Sequence, residues 1–119
     1  MVEDSPGQTI RQGRTGIPLR GLRLDVVEGP DAEKSLVATS DRVTVGTAPG
    51  NDLLLTDTSV SRYHLEVMRR GDRFQVVDHG STNGTFAGGV RLERAAITAG
   101  TILELGRSRV RVGEGELVT

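Results

Sequence analysis

The chain has 119 residues and 35% apolar content, with no Trp, one Tyr and two Phe, which suits one domain built on a Val, Leu and Ile core and leaves no room for a catalytic domain beside a regulatory one. A net charge of −1 sets up no global field for nucleic acid, and the lack of Cys excludes a disulfide frame, a thiolate metal site and a thiol nucleophile. No apolar run approaches the ~18 residues of a membrane span, and the acidic start Met1-Val2-Glu3-Asp4 carries no signal-peptide pattern, so the expected setting is the cytoplasm, without membrane contact.

Residues 1–20 show little periodicity and read as a flexible arm or a short added strand. Thr9 and Thr15 each lie near an Arg, as in a basophilic kinase site, and equally fit an inert tail. Leu22 to Val27 alternates as a first strand. The Gly and Pro of Glu28–Glu33 mark a turn. Lys34–Thr39 and Arg42–Val45 read as strands, Asp52–Leu55 as a short buried strand, and Tyr63–Met68 as another alternating one. Arg69–Asp72 is a hairpin turn and Arg73–Asp78 the returning strand. Thr85–Ala87 and Val90–Leu92 flank Gly88-Gly89, a tight-turn pair. Strands at Ala96–Thr98, Ile102–Leu105 and Ser108–Val112 follow, and 113–119 reads as a frayed end or linker. No apolar stripe has a helical period. Ten or eleven closely spaced short strands predict an antiparallel β-sandwich. The expected organisation is an arm at 1–20, a domain at 21–113 and a tail at 114–119.

Three polar loops break the apolar pattern: Gly46–Asp52, Thr56–His64 and Gly80–Thr85. In a sandwich, loops at one end cluster, and these three are expected to share an end. Ser61 offers a hydroxyl and Arg62 a charged fork, both suited to phosphate oxygens. His64 is placed to brace the loop. The same residues also fit a capped turn with a satisfied core histidine, and their chemistry leaves both readings open. A Ser61–His64 nucleophile pair is disfavoured, because positions three apart on a strand point to opposite faces. Asn83 has an acceptor and two donors for an extended peptide backbone, and Thr82 adds a hydroxyl. Gly80 and Gly84 permit close approach of the backbone. Asn51 and Asp52 are expected to fix their own turn. The 46–52 loop lacks the Gly-x-x-x-x-Gly-Lys-Ser/Thr pattern of a nucleotide loop, and no helix follows it. Without a metal cluster or paired carboxylates, the chain is expected to be a binding module and not an enzyme, with no cofactor and no metal. Fourteen of its fifteen basic residues are Arg, the residue best shaped for phosphate, although such a bias also follows from genome composition.

Gly46, Ser61-x-x-His64 and Ser81-Thr82-Asn83-Gly84-Thr85, with Asn51-Asp52-Leu53 between them, resemble the forkhead-associated (FHA) domain across about residues 22–112. The resemblance implies an eleven-stranded antiparallel β-sandwich of FHA/SMAD-like type whose apical loops bind a phosphothreonine peptide. It implies a phosphopeptide-binding set of Thr47, Ser61, Arg62, Thr82 and Asn83, supported structurally by Gly46, His64 and Gly84. Within that set Ser61, Arg62 and Thr82 would contact the phosphate and Asn83 the peptide main chain. The loop around Asp57–Ser59 would read the residue three beyond the phosphothreonine.

The chain departs from the family at Thr47, where an Arg is usual. A charge-assisted bond is worth roughly 1.5–3 kcal/mol, so its loss weakens binding about ten- to a hundredfold unless Arg62 or Arg42 reaches the pocket. A phosphate-independent interaction or assembly domain on the same fold is therefore the alternative. The loop wording also resembles the N-terminal FHA module of bacterial enhancer-binding, alternative sigma factor-dependent transcriptional activators. That implies a regulatory role in Ser/Thr kinase signalling, with a phosphothreonine-containing protein or the kinase as partner and no direct contact with nucleic acid.

Overall fold

The computed structural model describes residues 18–118, with side chains from 21 to 115. The candidate kinase sites at Thr9 and Thr15, and the arm over 1–17, lie outside the described residues. Eleven strands and no helix occur among them: β1 (Pro18–Glu28), β2 (Ser35–Ala38), β3 (Arg42–Gly46), β4 (Leu53–Leu54), β5 (Leu65–Arg70), β6 (Arg73–Asp78), β7 (Thr85–Ala87), β8 (Val90–Leu92), β9 (Arg94–Ile97), β10 (Ile102–Leu105) and β11 (Ser108–Val118). They form a six-stranded sheet, β2-β1-β11-β10-β7-β8, and a five-stranded sheet, β4-β3-β5-β6-β9. The expected eleven-stranded sandwich is the observed fold.

Period-two alternation sends one face of each strand inward. Leu22, Leu24 and Val26 of β1, Val110 and Val112 of β11, and Leu103 and Leu105 of β10 meet Val43 and Val45 of β3, Leu65 and Val67 of β5, and Phe74 and Val76 of β6. All are at most 4% exposed, and each fully buried aliphatic side chain contributes about 1.5–3 kcal/mol. Gly88 and Gly89, both at positive φ, close the β7–β8 hairpin as their sequence demands.

Three expectations change. The strand expected at Asp52–Leu55 shrinks to two residues, Leu53 and Leu54, of which Leu54 is 38% exposed. It pairs parallel to β3, the single parallel pairing described, so the ladder is not wholly antiparallel. The turn expected at Arg69–Asp72 narrows to Gly71-Asp72, because β5 runs on through Arg70. The end expected to fray after Val112 instead continues as β11, and β1 begins at Pro18, in one antiparallel ladder from Pro18↔Val118 to Glu28↔Arg109. Strand pairing thus crosses both boundaries expected at 20–21 and 113–114.

The three polar loops do share an end. Strand count alone does not put them there, since they follow β3, β4 and β6. The chain leaves β3 at Gly46, doubles back through 47–52, and re-ascends as the short β4 beside Val45 and Gly46. It then crosses at the same end into β5, whose Leu65 lies opposite Val45 and opposite Asp78 at the close of β6.

Candidate functional site

Backbone contacts weld the first two loops together. The Thr47 amide donates to the Ser61 carbonyl at 3.2 Å and the Ala48 amide to the Arg62 carbonyl at 3.1 Å. Asn51 Nδ2 donates to the Ala48 carbonyl at 2.8 Å and to the Arg62 carbonyl at 2.9 Å, so this residue binds across loops as well as within its own turn. Asp52 accepts from the amide and hydroxyl of Thr44. Gly46 is fixed by close approach: a Cβ there would sit 2.1 Å from the Arg62 carbonyl oxygen.

His64 joins the second loop to the third and is fully buried. Its Nδ1 accepts the Ser61 amide at 3.0 Å, so Nε2 carries the proton and donates to the Gly84 carbonyl at 3.0 Å. Burial lowers its pKa, opposed by the Gly84 bond and by the charges of Asp78 and Asp57. With both nitrogens engaged by backbone, the ring is a brace. Asp78 Oδ2 lies 3.9 Å from Nε2, a carboxylate neighbour that sequence reasoning missed, but the imidazole presents no free nitrogen to the Ser61 hydroxyl.

The third loop is drawn onto the second. The Thr82 amide donates to Ser61 Oγ at 3.0 Å, and Asn83 Nδ2 to the Ser59 carbonyl at 2.9 Å. The Thr82 and Asn83 side chains are exposed, Ser61 and Thr47 are partly so, and Arg62 is exposed with no ion-pair partner among the described residues. Gly84, at φ +86°, makes the turn that points Asn83 outward. The five expected contact residues therefore stand at one end of the molecule. Arg42 does not join them. It sits at the other end of β3, opposite Met68, and is held by Glu66.

Two carboxylates that the sequence reading did not single out for this purpose shape the loops. Asp57, expected within a ligand-reading stretch, is fully buried and out of a ligand's reach. Its Oδ1 accepts the Ser59 amide, and its Oδ2 accepts the Arg107 amide at 2.8 Å and the Ser108 hydroxyl at 2.7 Å. Burial pushes its pKa up, but the Ser108 hydroxyl, the Ser59 and Arg107 amides and the Arg107 charge outweigh that and hold it low. Asp78 accepts the Ser81 amide at 2.8 Å, the Ser81 hydroxyl at 2.6 Å and the Thr85 hydroxyl at 2.7 Å. Burial again raises its pKa and the Ser81 and Thr85 bonds, with the charge of His64, lower it more. The Asp-x-x-Ser spacing of residues 78–81 was a readable signal for this local turn. Asp57 offered none, because Arg107 and Ser108 lie some fifty positions away. Thr58 is the exposed residue of that stretch, and the half-buried Ser59 lines a recess of about 400 Å³ with Asn83, Phe86, Glu104, Gly106 and Arg107.

A β-sandwich that gathers braced, hydroxyl- and amide-bearing loops at one pole is a loop-presenting binding scaffold, and known proteins agree. The family model described as "Inner membrane component of T3SS, cytoplasmic domain" matches residues 25–116. The "Oxoglutarate dehydrogenase inhibitor" of Corynebacterium jeikeium is 33% identical over 98 residues, 82% of this chain and 68% of that protein. The "Glycogen accumulation regulator GarA" of Mycolicibacterium smegmatis is 34% identical over 98 residues, again 82% of this chain but 62% of that protein, so the chain spans about two thirds of these relatives. A solved structure from a "Structural and functional analysis of phosphothreonine-dependent FHA domain interactions" superposes with a TM-score of 0.70 at 26% identity, covering 78% of this chain and 95% of that one. Sequence and fold together place the chain in the forkhead-associated family.

Among the described residues, no group of three or more His, Cys, Asp or Glu is arranged to hold a metal, and no helix is long and apolar enough to cross a membrane.

Proposed function

We propose that the chain is a regulatory module that binds a phosphothreonine in a partner protein through Thr47, Ser61, Arg62, Thr82 and Asn83. One observation carries this reading: the Thr82 amide is bonded to Ser61 Oγ, which fixes the hydroxyl beside the exposed Arg62 and leaves its proton free for an anion. The Asn83 side chain, tied to Ser59 by one N–H, keeps its oxygen and second N–H for a peptide main chain. A γ-methyl pocket would favour threonine over serine by ~0.8 kcal/mol, about fourfold. The partner is a phosphothreonine-containing protein or its kinase, in the cytoplasm. The relatives named as an oxoglutarate dehydrogenase inhibitor and a glycogen accumulation regulator support control of a metabolic enzyme by binding, and favour this role over that of a transcription-activator module.

The test is calorimetric titration with a degenerate phosphothreonine peptide library and its unphosphorylated twin. Binding of the phosphorylated library alone, lost in Ser61→Ala and Asn83→Ala, is expected. Equal binding of both libraries would favour a second reading, a phosphate-independent interaction domain. That reading draws on Thr47, which offers no guanidinium, and on Arg42, which Glu66 holds elsewhere.

A further inference from the structure

The two outer faces of the sandwich handle their charge in opposite ways. On the six-stranded sheet, Arg23 pairs with Asp25 at 3.0 Å, and Arg109 reaches Glu28 at 3.1 Å and Glu104 at 3.6 Å. The β1–β11 register sets Asp25 opposite Arg111 and Glu28 opposite Arg109, so cation faces anion. On the five-stranded sheet, Arg70 sits directly opposite Arg73 at the β5–β6 hairpin. Arg94 stands opposite Val77 on the same outward face. All three are exposed, and none has an ion-pair partner among the described residues. Glu66, the carboxylate on this face, is already engaged by Arg42 and by His79.

Like charges directly opposite on neighbouring strands are destabilising, and an anion seated between them removes that repulsion. Between the three arginines the outward positions of β5, β6 and β9 are held by Met68, Gln75, Val77 and Ala96. A recess of about 190 Å³ lined by Arg70, Arg73, Phe74, Gln75 and Ala96 opens beside two of these cations, Arg70 and Arg73. From the Arg73 position to that of Val77 and Arg94 is four residues, ~13 Å.

We propose that this face docks an acidic segment of a partner protein, its carboxylates pairing with Arg70, Arg73 and Arg94. The surface is separate from the loops, and its occupation needs no phosphate. An acidic peptide fits better than a nucleic acid. A duplex carries a charge every ~1.7 Å of axis and would have to cross Glu66 and the turn residue Asp72, whereas a peptide places its carboxylates singly.

The experiment titrates the isotope-labelled chain with a synthetic decaglutamate peptide at low salt and follows amide and arginine side-chain NMR signals. Shifts are expected at Arg70, Arg73, Gln75, Arg94 and Ala96. R70E/R73E/R94E should weaken binding about tenfold or more, while the matched exchange R23E/R109E/R111E on the other face changes it by less than about twofold. If the triple exchange does not fold, R70Q/R73Q carries the comparison. The proposal is overturned if these signals do not move, if both faces' exchanges weaken binding alike, or if duplex DNA of matched charge moves the same signals at lower concentration.

Discussion

The second and third loops are each built on a buried or nearly buried aspartate that accepts three hydrogen bonds, yet the two aspartates do different work. Asp78 binds only residues three and seven positions on, Ser81 and Thr85. It folds its own loop. Asp57 binds Ser59 nearby but also Arg107 and Ser108 in the β10–β11 turn. It fastens a loop of one sheet to a turn of the other. The first arrangement shapes a surface, and the second joins two layers. Removing either leaves donors unpaired, but only Asp57 holds distant parts of the chain together.

The largest expected effect breaks that join. Asp57→Ala should cost about 3 kcal/mol in a denaturant melt, because it strands two amides and a hydroxyl at a fully buried position. Asp78→Ala should cost about 2 kcal/mol, less because its site is more open, and its phosphopeptide affinity should fall further than its stability predicts. Equal losses of stability with unchanged affinity would remove the distinction. Ser108→Ala removes one of the two long-range bonds, leaving the Arg107 amide on Asp57, and should cost about 1 kcal/mol.

Acid should separate the two aspartates from His64. Each aspartate has a folded pKa held below its unfolded value. Each therefore adds stability above the ordinary Asp range, about pH 4, and that stability is lost as pH falls through the folded value. His64 also has a lowered folded pKa, so its contribution is complete above its unfolded value of about 6.5 and declines as pH falls below it. Stability against pH should show an earlier loss below about pH 6.5 that His64→Gln reduces, and a later one below about pH 4 that Asp57→Asn flattens. The smallest effect is expected at Arg107→Ala. Its exposed guanidinium lies 3.6 Å from Asp57 while the amide bond survives the change, so stability should move by less than about 0.5 kcal/mol.

The contrast also explains what was legible in the sequence. Local order was readable. Leu22, Leu24 and Val26 announce a strand by alternation, Gly88-Gly89 announces a hairpin, and Asp78 with Ser81 forms a loop whose parts lie within one short stretch. Order that depends on distant residues was not. Asp57 looked like a surface residue because its partners are some fifty positions away. The two-residue β4 is too short to show a period and is defined by Val45 and Gly46 beside it. The last part of β11 carries Gly113 and Gly115, which read as a fraying end. Yet Gly115 lies opposite Gly21, where an added Cβ would meet the Ala38 carbonyl oxygen at 1.8 Å, and small residues there let three strands pass closely. Of the candidate site, the residue types were legible, whereas the shared end of their loops rests on the parallel β3–β4 pairing that spacing does not show. The cross-loop bonds among Ser61, Thr82 and Asn83 required the fold.

The β1–β11 ladder has a mechanical corollary. Pro18 and Val118 are paired neighbours, so the two strands reach the same edge of the molecule side by side. Pulling on both there would load the ladder as a zipper and not in shear. Its bonds would break one pair at a time from Pro18 inward, at low force, before the core at Leu22, Leu24, Val110 and Val112 bore any load. A partner tugging on both of these strands would split the six-stranded sheet between β1 and β11 from the Pro18–Val118 end, while the loop end, beside Ser108, stayed folded until last.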